Sequence, residues 1–497
     1  MDKIINIKEN PFAKFSAEEE EDLKSIFVEP CYYETLMSNA IQGNSRILVG
    51  QRGLGKSATI RMLFENFKNK GVLPILITRY EHIPLQENKN HFLYVILQSI
   101  LKEVAKHLWK NNKDLKLLNK EQKKYLYYLV ELFYDDELGE SYLNETKYIR
   151  KKKIFNHIKS FFNKNVRLIN SLLDGTIAVS STLICKSMGL QDGNFNISGL
   201  NYFSSFSLEE LRSLSMDEIV KKGDVKLTRM LDVLIEITTS LQYKTIVILF
   251  DQIDEYSKIA LDINKVADFI YPILSDTNLL YRKNLAIIFS LWSEIKQLLN
   301  NKGIRFDKFQ DIDISWKDED LVQIINKRLK YYSSNQNDLI TFETLVSFDN
   351  DRKTILSLVD GSPRSLISLM GHLYNEEKSN PNSLISCFSS NAISKGLIDF
   401  CKRFDYVSLQ PFEKSDTKTN YYDWIKKILQ VKKPSFTINE YCSIFSIKQA
   451  TALKHINTMK NYKIIRNIQN RPELDDLYEV IDPRIKYLMS KSITELN

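Results

Sequence analysis

The sequence predicts an α/β fold: a P-loop core of parallel strands, a helical insertion, an α-helical lid and a C-terminal winged helix. Three observations predict it. Gly50-Gln51-Arg52-Gly53-Leu54-Gly55-Lys56-Ser57 matches the pattern G-x-x-x-x-G-K-[ST]. Thr245-Ile246-Val247-Ile248-Leu249-Phe250 is a continuous apolar run that ends in Asp251. From Trp316 onward the apolar spacing turns from that of strands to that of helices.

Each element follows in turn. Arg46-Ile47-Leu48-Val49 reads as a short buried strand, and Ala58 to Phe67 as an amphipathic helix with Ile60, Leu63, Phe64 and Phe67 on one face. The loop between them aims backbone N–H groups and a positive helix end at an anion. Its glycines let the backbone approach phosphates without a Cβ clash. Gly50, Gln51, Arg52, Gly53, Leu54, Gly55, Lys56, Ser57 and Ala58 are therefore expected to hold a nucleoside triphosphate. Lys56 is expected to reach the β- and γ-phosphates, and the Ser57 hydroxyl to ligate Mg²⁺.

Val72 to Arg79 is a plausible second strand. The Thr245–Phe250 run, β-branched and aromatic, fits a central parallel strand buried on both faces. Asp251 at its C-terminal end stands where ligands of open α/β sheets bind, and is expected to hold Mg²⁺ with Ser57. The next residue is Gln252. A carboxylate there would polarise an attacking water, whereas an amide only orients one. Asp254 and Glu255 follow closely as substitutes, and slow hydrolysis is expected. Asn284 to Ser290 reads as another strand, with Ser290 either a γ-phosphate sensor or a strand-end turn. Ile312 and Ile314 alternate on the last core strand, with Arg305 before it.

About 165 residues separate the second strand from the Asp251 strand. The core is accordingly placed at 1–88 and 241–316, with a mostly helical insertion at 89–240. Within it, Ile154, Phe155, Ile158, Phe161, Phe162, Leu168, Ile169 and Leu172 form an apolar stripe flanked by basic residues. It fits a solvated face over a packed stripe better than a binding helix. The lid is placed at 317–407. In Val359-Asp360-Gly361-Ser362-Pro363-Arg364, Gly361 suits a C-cap, Ser362 an N-cap and Pro363 a first helical position, so Arg364 falls in the first turn of the next helix.

A polar linker at 408–419 precedes the last unit, 420–497. Tyr421–Leu429, Ser435–Phe445 and Ser446–Ile456 read as three helices, and Ile464–Ile468 and Leu477–Ile481 as a hairpin. That order is a winged helix-turn-helix. Its second turn helix would present Lys448, Gln449, Thr451, Lys454 and His455 to a major groove of double-stranded DNA, with Lys460, Lys463 and Arg466 meeting phosphates. Acidic Glu473, Asp475 and Asp476 in the wing weigh against this, and a protein-facing winged helix is the alternative.

Composition narrows the class. The chain has 497 residues, enough for several domains, and 43% apolar residues, enough for full cores. The excess of Lys and Arg over Asp and Glu, 69 against 62, is mild. Five dispersed cysteines without C-x-x-C fit reduced thiols and a cytoplasmic location. No H-E-x-x-H and no run of about 18 apolar residues occurs, so neither a zinc site nor a membrane span is expected.

The P-loop at Gly50–Ser57, the strand into Asp251–Asp254 and Gly361-Ser362-Pro363-Arg364 together resemble the AAA+ ATPases of the origin-recognition and initiator type, and the related STAND signalling ATPases. The resemblance covers roughly 10–88, 240–410 and the C-terminus. It implies that Arg364 contacts the γ-phosphate, that Pro363 packs on adenine, and that Arg305 is an arginine finger acting on a neighbouring subunit's nucleotide. It also implies that the Asn10–Pro30 segment lies on the adenine side. More narrowly, the chain resembles bacterial P-loop ATPases of mobile and phage-defence loci. The expected function is an ATP-binding switch ATPase that couples nucleotide state to assembly on DNA or a protein partner, as a homo-oligomer or with an effector, in anti-phage defence. The alternatives are a DNA-binding regulator or initiator-like loader with a slow or vestigial ATPase, and a scaffold that merely holds nucleotide.

Overall fold

A computed structural model describes residues 9–119, 121–123, 125, 126, 129, 224–260, 262–306, 310–333, 340–379, 387–409, 418–469 and 476–496. The basic and apolar stripe expected between Ile154 and Leu172 lies outside them, as do Glu473 and Asp475 of the wing.

A five-stranded parallel sheet organises the first half. Its strands are β1 (Arg46–Val49), β2 (Val72–Ile77), β3 (Thr245–Phe250), β4 (Leu285–Leu291) and β5 (Asp311–Asp313), in the order β2-β3-β4-β1-β5. The apolar run of β3 is buried along its whole length, as a strand covered on both faces must be. Its alternation sorts the two sides. Ile246, Ile248 and Phe250 join one apolar cluster, and Val247 and Leu249 another. The second side is covered by α2 (Tyr33–Ile41) and α3 (Lys56–Phe67).

The first side is covered by α4 (Lys89–Lys110), α5 (Asp224–Ser240), α6 (Ile263–Leu274) and α7 (Ser293–Asn301). Thus the two helices at the ends of the 89–240 stretch share a core with the sheet, while residues 130–223 lie outside the described part. Phe92 packs edge-on to Phe250, and Phe250 stacks on Phe289 of β4 at 4.7 Å. Among the described residues, no helix is long and apolar enough to cross a membrane.

A third apolar cluster runs through the second half of the chain. It is built from α8 (Asp318–Tyr332), α9 (Asp349–Val359), α10 (Pro363–Lys378) and α11 (Ser390–Arg403), and continues into a C-terminal unit. That unit comprises α12 (Lys418–Leu429), β6 (Ser435–Thr437), α13 (Ile438–Phe445), α14 (Gln449–Asn461), β7 (Ile465–Gln469), β8 (Leu477–Val480) and α15 (Pro483–Ser490). Its three strands form an antiparallel sheet in the order β6-β8-β7.

The expected single helix over Ser435–Phe445 is instead a strand followed by a helix. Ser435–Thr437 pairs with β8 and sinks Phe436 into the core. Thr437 and Glu440 then close a capping box that starts α13. The following helix begins at Gln449 rather than at Ser446, because Ser446 takes a left-handed turn (φ 51°) that ends α13.

Candidate functional site

The cleft lies at the C-terminal edge of the parallel sheet, between the glycine loop, the segment after β3, the N-terminal segment and the helices α8 and α10. The loop leaves β1 and returns as α3. Gly53 and Gly55 have φ of +84° and +85°, the left-handed region that glycine enters at little cost. Lys56 begins α3 and is buried. Its ammonium donates to the Gly50 carbonyl at 2.9 Å and the Gln51 carbonyl at 3.0 Å, so it sits inside the curve of its own loop. Burial pulls its pKa below the ordinary lysine value, and the carboxylates of Asp254 and Asp251 pull it back up.

Asp251 is 2% exposed at the end of β3. Burial raises its pKa, opposed by hydrogen bonds from the Ser57 and Ser290 hydroxyls and the Gln252 backbone N–H. The two residues expected to share a metal, Ser57 and Asp251, thus stand beside each other in the cleft. Ser290 of β4 joins them, because β4 lies between β1 and β3. Tyr80 fixes the strand end from below. Its buried hydroxyl is 2.7 Å from the Asp251 carbonyl and 2.9 Å from that of Ile77.

Arg52 leaves the loop to pair with the buried Asp254 (3.5 Å), while its guanidinium lies over the Trp292 ring at 5.0 Å. Glu255 lines the cleft. Gln252 adopts φ 60° and directs its amide to Glu18, 3.2 Å away. Arg305 is exposed and is not among the residues lining the cleft.

The start of α10 docks directly on the loop. Ser362 caps the helix by accepting from the Ser365 N–H, as its local sequence predicts. It also meets the Gly53 carbonyl at 3.3 Å, and the Arg364 N–H donates to that same carbonyl at 3.3 Å. Pro363 and Arg364 both line the cleft.

Sequence reasoning missed several groups. The Trp316 indole donates to the Leu54 carbonyl at 2.9 Å and braces the loop from the start of the helical half. Arg328 of α8 forms a buried pair with Glu20 at 2.6 Å and also donates to the Pro11 and Lys14 carbonyls. That clamp lays the N-terminal segment along the cleft, where Phe15, Leu23, Phe27 and Val28 face Ile324, Pro363 and Ile367. The only local signal was an arginine inside the apolar stripe of α8. Its partner lies 308 residues away.

In the C-terminal unit, Lys448, Gln449, Thr451 and Lys454 are exposed together at the start of α14. His455, one turn beyond Thr451, is less exposed. It is half-buried against the Trp424 and Tyr441 rings. Arg466 is exposed but held by Glu479 through two hydrogen bonds of 3.0 and 2.7 Å.

The class defined by fold and cleft is a parallel α/β protein with a glycine loop between its first core strand and the following helix. No family model matches the sequence, and no curated protein matches it. Among solved structures, the chain is similar to the ORC2 protein of Aeropyrum pernix, determined as ADPNP–ADP complexes. Identity is 8% and the TM-score 0.40, over 95% of this chain and 98% of that one. The functional reading rests on the residues of the cleft.

Proposed function

We propose that the chain binds ATP with Mg²⁺ in this cleft and works as a slowly hydrolysing switch of the AAA+/STAND kind. The observation that carries the reading is the meeting of Lys56, the Ser57–Asp251 pair and the α10 N-terminus on one left-handed glycine loop. Loop N–H groups, the α3 dipole and a buried ammonium supply an anion site. A hydroxyl and one carboxylate suit Mg²⁺, which keeps waters and takes its remaining ligands from phosphate oxygens. The apolar half of the cleft, between the N-terminal segment and Pro363, suits a base.

On this reading 317–407 is a lid whose Arg364 faces the terminal phosphate, and 420–497 is a winged helix. Nucleotide state is coupled to assembly on DNA or on a protein partner, in the phage-defence setting that the sequence resemblance implies. Arg305, exposed and away from its own cleft, is the residue that would reach a neighbouring subunit's nucleotide. A second reading, a DNA-binding regulator with a vestigial ATPase, is favoured by the exposed Lys448, Gln449, Thr451 and Lys454 on α14.

Titration with a fluorescent ATP analogue, with and without Mg²⁺, tests the nucleotide reading. Wild type should bind and Lys56→Ala should lose at least tenfold in affinity. Binding by Lys56→Ala as tight as wild type would overturn it. Turnover measured with and without duplex DNA separates the switch from the regulator.

A further inference from the structure

The position after the buried carboxylate Asp251 holds an amide, yet the fold brings a carboxylate to it. Glu18, in the segment before α1 (Leu23–Ile26), accepts a hydrogen bond from Gln252 Nε2 at 3.2 Å. The same Glu18 oxygen pairs with Arg61 Nε of α3 at 3.3 Å. Two residues further on, Glu20 is locked to the buried Arg328, which fixes where the segment crosses the cleft. Gln252 itself is held at φ 60°, a left-handed conformation that is strained for a non-glycine residue and recurs at functional sites.

The chemistry of the pair sets the direction of the amide. A carboxylate only accepts, so the NH₂ side of Gln252 must face Glu18 and its carbonyl oxygen must turn away. Resting on the nucleotide reading above, we propose that Glu18 is a positioning residue for hydrolysis. It holds Gln252 so that the amide oxygen accepts a hydrogen bond from the attacking water. In that step the water oxygen bonds to the terminal phosphorus and the bridging P–O bond breaks, with the electron pair leaving on the diphosphate. The water proton goes to a phosphate oxygen or to solvent, not to the amide.

A structural role alone does not account for the contact. The Glu18 and Arg61 side chains are 31% and 35% exposed, and ion pairs this accessible to solvent contribute little to folding. Variants at Glu18 should therefore fold.

The test compares wild type, Glu18→Gln, Gln252→Glu and the exchanged double variant Glu18→Gln/Gln252→Glu. ATP-analogue affinity and the single-turnover hydrolysis rate are both measured. Glu18→Gln lets the amide at 252 face either way. Its rate should fall roughly tenfold or more, with affinity within about twofold of wild type. The double variant restores one amide and one carboxylate, now with the carboxylate over the cleft, and should regain at least the wild-type rate. Wild-type hydrolysis by Glu18→Gln, or equal losses of affinity and rate, would overturn the positioning role while leaving ATP binding intact. Failure of wild type itself to bind nucleotide would overturn both readings.

Discussion

At the scale of single residues, Asp251 is where burial and chemistry pull apart. Enclosure raises its pKa, while hydroxyls from Ser57 and Ser290 and a backbone N–H stabilise the charged form. A raised pKa means the folded state holds the proton more tightly than the unfolded chain, so ionisation costs stability. The cost is absent below the ordinary value of 3.8 and grows as pH rises through the raised value. Asp251→Asn removes the charge yet keeps an acceptor for the hydroxyls. Without nucleotide, it should melt above wild type at pH 7. The gap should close as pH falls toward 4. The same variant should lose the Mg²⁺ dependence of nucleotide affinity. Identical melting at every pH, or unchanged Mg²⁺ dependence, would count against the account of this residue.

At the scale of elements, the contact between the glycine loop and the α10 N-terminus joins the two halves of the cleft. Ser362 serves its own helix and the loop at once. A Cβ at Gly53 would stand 2.7 Å from Ser362 Oγ and 3.3 Å from Arg364 Cβ, on a backbone at φ +84°. Gly53→Ala therefore meets both left-handed strain and a clash with α10, together about 1–3 kcal/mol. It should lower the melting temperature and weaken ATP-analogue binding at least tenfold. Binding at wild-type strength would show that the loop does not need α10 at this distance. The local rules placed the Ser362 cap and Pro363 correctly, because a cap needs only its own next turn. What the cap rests on lies 309 residues away and leaves no local trace.

At the scale of the whole molecule, the helices after β5 and the C-terminal unit share one apolar cluster, so they pack as a continuous body. Arg484 of α15 sits between them, paired with Asp482 at 2.6 Å and over the Phe404 ring at 3.8 Å. Lys463 of the C-terminal unit reaches back to Glu294 of α7 at 3.8 Å. Any ligand of α14 is thus connected through packed elements to the end of the sheet. If α14 meets DNA, Lys448→Ala/Lys454→Ala should weaken duplex binding and reduce the salt slope by roughly two. Arg466→Ala should change it little, since Glu479 already holds that guanidinium. A slope unchanged in the double variant would mean that this face meets a protein.

The sequence by itself determined the elements that report on their own neighbourhood. The glycine loop with Lys56 and Ser57, the buried β3 run into Asp251, and the Thr437 and Ser362 caps are all set within a few residues. Each depends on backbone sterics, period or a next-turn hydrogen bond. Ser435–Thr437 was misread because three residues carry no period. Their strand exists only through pairing with β8, some forty residues on. Only the tertiary structure decided that β4 lies between β1 and β3, that Ser290 joins Ser57 beside Asp251, that Arg328 and Trp316 line the cleft, and that Glu18 meets Gln252. The physical reason is reach. Long polar side chains choose partners by proximity after folding, and proximity across hundreds of residues is set by how the apolar faces close on one another.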